Sequence, residues 1–166
     1  MALTTNCNSG ISGKLTSTFD SKTITAAFGF SIADSFASGT VVDTADLAWW
    51  DGSRSLAATS ENLDLAGGLT DPFGNTLTFA RIKGLYIKNN STTAGETLKI
   101  GGHATAAFLL FDDATDIYEL GPDGIFLIWE PSATALPVTA TTADLLKIDS
   151  GAATLTYDIC IIGASA

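Results

Sequence analysis

LTFARIKGLYIKNNSTTAGETLKIGG, residues 77–102, reads as a strand, a polar loop and a second strand. Apolar side chains alternate at Leu85 and Ile87 and again at Leu98 and Ile100, the period of a pleated strand buried on one face. Within the first strand, Leu77 to Lys88, the phase slips. Leu77 and Phe79 are odd-numbered, Ile82 is even, and Leu85 and Ile87 are odd again. A β-bulge produces slips of this kind, and Gly84 is the natural place for one. Setting Ile87 opposite Leu98 also sets Leu85 opposite Ile100, so the spacing predicts a hairpin closed over the loop Asn89–Gly95.

The same period runs outward in both directions. Ile24, Ala26, Phe28, Phe30 and Ile32 share one face of a run that is paired, in the simplest register, with Ile11–Phe19, Phe19 meeting Ile24 and Leu15 meeting Phe28. In LAWWDGSRSL, residues 47–56, Asp51-Gly52 is a two-residue hairpin signal. That turn would set Trp49 opposite Arg54 as a cross-strand cation–π pair. Adjacent Trp49 and Trp50 point to opposite faces of a strand, so at least one needs cover from another element or from a partner chain. Ala104–Phe111 reads as a strand buried on both faces. IYEL and IFLIWE, joined by Gly121-Pro122-Asp123-Gly124, read as a further hairpin with Tyr118 opposite Leu127. Leu145–Ile148 is a short strand. The cleanest alternation of all is Ala153, Leu155, Tyr157, Ile159 and Ile161, which predicts a central, packed strand.

About ten to twelve short strands separated by turn signals predict an all-β chain, an antiparallel β-sandwich of jelly-roll type. Residues 1–10 are small and polar and predict an N-terminal arm, with residues 11–166 forming a single sandwich domain. The 166 residues are 46% apolar and only 16% charged, a balance that folds. Mean hydropathy is +0.29.

A net charge of −10 disfavours contact with phosphate backbones and anionic lipid, so neither nucleic acid nor a membrane surface is an expected partner. Cys7 and Cys160 do not make a disulfide framework. The N-terminus shows neither the basic nor the apolar region of a secretory signal.

The chemistry-bearing residues are sparse. His103 is the only histidine, and no G-x-S-x-G elbow supplies a nucleophile for it. One histidine and two distant cysteines give zinc no ligand set, and no cofactor is expected. Asp112, Asp113 and Asp116 offer oxygens to a cation without the spacing of an EF-hand loop. Among Glu61, Glu96, Glu119 and Glu130, the last, beside Trp129, best fits the edge of a sugar cleft with a carboxylate pair. The residues singled out for a partner or subunit contact are Trp49, Trp50, Arg54 and Trp129.

Several segments together carry a resemblance. They are RSLAA from Arg54, LDLAGGLTDPFGN from Leu63, residues 76–102, GPDGIFLIWEP, and the closing TTADLLKID and SGAATLTYDICIIGAS. The chain resembles virion structural proteins of tailed phages, of the head decoration or cement type, over about Arg54 to Ser165. That resemblance implies a non-enzymatic β-sandwich, often a homotrimer, made in the host cytoplasm. In the virion, it would bind the major capsid protein on the capsid exterior. It brings no catalytic set to carry over. Two other readings compete: a receptor- or glycan-binding module of a tail fibre or spike, with the tryptophans as a stacking surface, and a carbohydrate-active enzyme.

Overall fold

The computed structural model of the chain describes residues 2–166, the side chain of Phe19 excepted. It is all-β, without helix among the described residues. The first strands are β1 (Cys7–Phe19), β2 (Lys22–Asp34), β3 (Ala37–Ser38), β4 (Thr44–Ala45) and β5 (Leu47–Ala57). Then come β6 (Ser60–Asp64), β7 (Ala66–Thr70), β8 (Thr76–Thr78), β9 (Arg81–Asn89) and β10 (Leu98–Gly101). The chain closes with β11 (Ile117–Leu120), β12 (Ile125–Trp129), β13 (Leu136–Pro137), β14 (Leu145–Asp149) and β15 (Thr154–Ala164).

Two sheets face each other across one core. One has the order β12-β9-β15-β5, with β13 added to β9; the other has the order β11-β10-β14-β6. The pairs β10·β11, β9·β12, β6·β14 and β5·β15 nest inside one another along the chain and alternate between the sheets. A long antiparallel hairpin folded over itself gives this nested order, and the result is a sandwich of two sheets. The core takes Leu85, Ile87, Leu155, Tyr157, Ile159 and Ile161 from the first sheet and Leu63, Leu98, Ile100, Leu120, Leu146 and Ile148 from the second. Each such side chain contributes about 1.5–3 kcal/mol by leaving water. The strand expected to be central, β15, is central: it pairs with both β5 and β9.

Residues 77–102 do not form the expected hairpin. β9 and β10 lie in different sheets, so Leu85 and Ile87 meet Leu98 and Ile100 across the core and not along hydrogen-bonded edges. Alternation records which face is buried; a facing strand satisfies that pattern as well as a neighbouring one. The expected hairpin of Ile117–Leu120 with Ile125–Glu130 fails in the same way, since β11 pairs with β10 and β12 with β9. Ala104–Phe111 is an irregular connection, tied to β14 where Phe108 N–H donates to the Leu145 carbonyl at 2.9 Å.

The expected bulge is there. Ile162 pairs with Gly84 and Gly163 with Ile82, leaving Lys83 as the extra residue of β9. Ile82 and Leu85 thereby both reach the core. Asp51-Gly52 is not a turn: β5 runs through it, and a second bulge sits there, with Arg54 opposite Tyr157 and Asp51 opposite Ile159. Ser53 takes the left-handed conformation, φ 57°, and its N–H donates to Asp158 Oδ1 at 2.7 Å. The bulge moves the buried phase from Trp49 to Leu56, which also turns Arg54 to the inner side. Arg54 lies 5.7 Å over the Trp49 ring as expected, but from within the same strand.

The N-terminal region differs most from expectation. The strand begins at Cys7, inside the expected arm, and Met1 lies outside the described residues. β1 and β2, thirteen residues each, form a separate two-stranded sheet. Phe19 pairs with Lys22, not Ile24, so the register is two residues tighter and Leu15 meets Ala26. Asp20 and Ser21 both have positive φ, 48° and 60°, the type I′ geometry that matches strand twist. The alternating apolar face is not half-buried: every described residue of β2 is exposed.

Candidate interaction surface

Two apolar β-surfaces meet the solvent. The first is one side of the β1–β2 hairpin. Ile11 and Leu15 share it with Ile24, Phe28, Phe30 and Ile32, as the cross-strand pairs Ile11–Phe30 and Leu15–Ala26 require. Phe30 is 76% and Leu15 73% exposed. Phe28 lies over Gly13, its register partner; a Cβ there would come within 2.7 Å of the ring. The other side of the hairpin carries small and polar residues, among them Ser12, Thr16, Thr25 and Ser31.

The second is the outer face of the β12-β9-β15-β5 sheet. Because Leu85, Ile87, Ile159 and Ile161 point inward, their neighbours point out. Register aligns them in two rows, Leu127–Tyr86–Cys160–Trp50 and Trp129–Gly84–Ile162–Ala48. Trp50 is 58% and Ile125 57% exposed. Gly84 leaves the second row shallow, with the Trp129 ring and Ile162 each 3.3 Å from where a Cβ would sit.

The root of the hairpin crosses one end of this face. Trp129 Nε1–H donates to Asp34 Oδ2 at 2.8 Å, and the Phe36 ring stacks on Trp129 with centroids 4.1 Å apart. Lys83, fully buried, reaches from the bulge to donate to the Val41 carbonyl and sits 6.0 Å from the Phe36 ring. Burial, and then Arg81, holds its amine below the usual lysine range. Between root and sheet lies a cleft of 380 Å³ lined by Cys7, Ser9, Tyr86, Leu127, Trp129 and Cys160. Both cysteines are free. Burial pushes both thiols up, with Asp34 adding to the effect on Cys7, so neither is an activated nucleophile.

Of the residues expected at a contact, Trp50 and Trp129 lie on this outer face, whereas Trp49 is in the core. Arg54 belongs to an ion network linking the two sheets. Its Nε and Nη2 donate to the Glu61 carboxylate at 2.6 to 2.9 Å, and its Nη1 to Asp51 Oδ2 at 2.7 Å. The buried Tyr157 hydroxyl donates to Glu61 Oε1 at 2.7 Å. These bonds raise the Arg54 pKa, the Glu61 contact most of all; burial first and Glu61 second raise that of Tyr157.

The residues weighed for catalysis or metal are engaged locally. His103 Nδ1 accepts from the N–H of Ala106 at 3.3 Å, and Glu130 Oε1 from that of Ser132 at 3.1 Å. Asp113 Oδ1 accepts from the backbone and hydroxyl of Thr115, which lowers its pKa, and Asp116 Oδ2 accepts from the Asp113 N–H. Among the described residues, no group of three or more His, Cys, Asp or Glu side chains is placed to hold an ion. Of the outer-face rows, sequence alone marks only the tryptophans. Tyr86, Cys160 and Ile162 are the off-phase residues of strands read for their buried face, and only the β9–β15 register aligns them.

Comparison with protein-family models, with curated proteins and with solved structures returns no match.

Proposed function

We propose that the chain is a non-enzymatic structural protein of a tailed-phage virion. Its role is that of a decoration protein, a homotrimer that binds major capsid protein on the outer face of the head and stabilises the shell. The observation carrying this reading is the pair of open apolar β-surfaces on an acidic sandwich. Contiguous exposed apolar area of this extent marks contact with another protein. A surface of charge −10 suits the outside of a particle, away from the genome. The segment resemblance over Arg54–Ser165 points the same way.

The test is addition of the purified protein to heads of the phage that encodes it. Co-sedimentation with the heads and a rise in their disruption temperature are expected. Heads that neither bind the protein nor gain heat resistance would refute the reading. The aromatic row of Trp50 and Tyr86 favours, second, a glycan-binding role in a tail fibre. Glycan-array binding abolished by Trp50→Ala, without binding to heads, would select it.

A further inference from the structure

Beyond its root at Cys7 and Ser9, the hairpin's apolar side has no cover among the described residues. Its six large side chains from Ile11 to Ile32 are 47% to 76% exposed, and both its edges are unpaired among the described residues. A two-stranded hairpin in water is marginal by itself. The side carrying Phe30 and Leu15 is also the side that, at Cys7 and Ser9, faces the cleft over the outer sheet face. Away from the root, that face likewise lacks cover among the described residues. The root is held by Asp34, Phe36 and Trp129, and beyond Ser9 the described side chains of the hairpin are solvated and do not lie back on its own sheet.

We infer that the apolar side of the β1–β2 hairpin of one copy packs on the outer face of the β12-β9-β15-β5 sheet of a second copy. Three features select a second copy as the occupant. The two surfaces are of one kind, flat β-surfaces bearing aliphatic and aromatic side chains. Their area fits: the six hairpin side chains expose roughly 650 Å², less than the ~800 Å² per partner of a standard interface. Each copy, however, contributes both a hairpin and a sheet face to a closed assembly, which brings its share past that value. Charge fits as well. Lys14 and Lys22 balance Asp20 and Asp34, leaving the hairpin neutral, so the whole net charge of −10 lies on the rest of the chain. Toward the tip, Lys14 and Lys22 outnumber Asp20, and the end that reaches the neighbour is the least repelled by it. Hairpin-to-sheet contact joins different patches, so it closes either reciprocally in a dimer or around a ring.

The test uses the purified full chain and is independent of any capsid, so its failure and that of the decoration reading are distinguishable. Light scattering after size exclusion is expected to give a multiple of 17.1 kDa. Phe30→Asp and Leu15→Asp on the hairpin, and Trp50→Asp and Ile125→Asp on the sheet, each weaken association about 30-fold or more, the loss typical of an interface hot spot. All four positions are solvated in the single chain, and unchanged far-ultraviolet dichroism identifies the folded variants to be scored. Mixing a hairpin variant with a sheet variant restores one intact hairpin-to-sheet contact, and a species heavier than a monomer returns. A monomeric wild-type protein at high micromolar concentration overturns the inference, even if the hairpin then binds heads. Assembly that survives the sheet variants but not the hairpin variants also overturns it, as this indicates hairpin-to-hairpin contact.

Discussion

Replacing Tyr157 by Phe removes one hydroxyl from the only described bond set in which both sheets share a carboxylate. Glu61 on β6 accepts from Tyr157 on β15 and from Arg54 on β5. Tyr157 is fully buried, while the Arg54 and Glu61 side chains keep 32% and 20% exposure. A hydrogen bond to a charged group contributes about 1.5–3 kcal/mol. Glu61 keeps its forked contact with Arg54 when the hydroxyl goes, so nothing is orphaned, and the cost of Tyr157→Phe falls near 1.5 kcal/mol. Glu61→Leu costs more, about 2–4 kcal/mol, because it strands the buried hydroxyl as well as releasing Arg54. Urea denaturation of both single variants and the double variant measures a coupling of about 1.5 kcal/mol.

The pH dependence has a definite sign. The Tyr157 pKa is raised in the folded state, so its contribution is complete below the unfolded phenol value near 10 and is lost as pH rises above it. Tyr157→Phe should therefore flatten the alkaline limb of stability relative to wild type. A loss below about 0.5 kcal/mol, or zero coupling to Glu61, refutes the claim that this hydroxyl helps hold the sheets together.

Other outcomes follow from close contacts. A Cβ at Gly163 would lie 2.3 Å from the Arg81 carbonyl oxygen and 2.7 Å from the Phe79 ring. Gly163→Ala should thus cost about 2–3 kcal/mol by overpacking, read as a lower urea midpoint. Lys83 is buried with no carboxylate paired to it among the described residues, so Lys83→Met stabilises the fold at neutral pH. Because the amine's pKa is lowered in the folded state, that gain shrinks toward pH 10 as the wild-type amine sheds its proton; thermal unfolding at both pH values checks it. Trp129→Phe keeps a ring against Phe36 but loses the bond to Asp34. Amide exchange should quicken at residues 7–9 and 32–34 with little change in Tm.

The sequence was legible where side chains choose a face and silent where strands choose neighbours. β15 and the bulge beside Gly84 could be read because both are statements about which residues point inward. The supposed 77–102 hairpin could not, since a strand across the core and a strand alongside leave the same alternation. Asp51-Gly52 has turn chemistry, yet Asp158 satisfies the Ser53 N–H and lets β5 continue as a bulge. At the surface, the tryptophan pair at 49 and 50 announced one outward ring without saying which. The β1–β2 alternation predicts burial, but it records only that one side is apolar. Whether that side is covered within the chain depends on where the hairpin points.

The nested strand order has a consequence for how the protein is made. β10 and β11 meet across residues 102–116 alone, but β5 must wait for β15, about a hundred residues later. β9 waits for the same strand. Until residue 164 has left the ribosome, the larger sheet lacks its middle, and β5 and β9 present open edges to other nascent chains. Pairings this distant fold slowly, in milliseconds to seconds, and are the stage at which such chains aggregate. Low temperature and slow synthesis should therefore raise the soluble yield more than any stabilising substitution in the finished core.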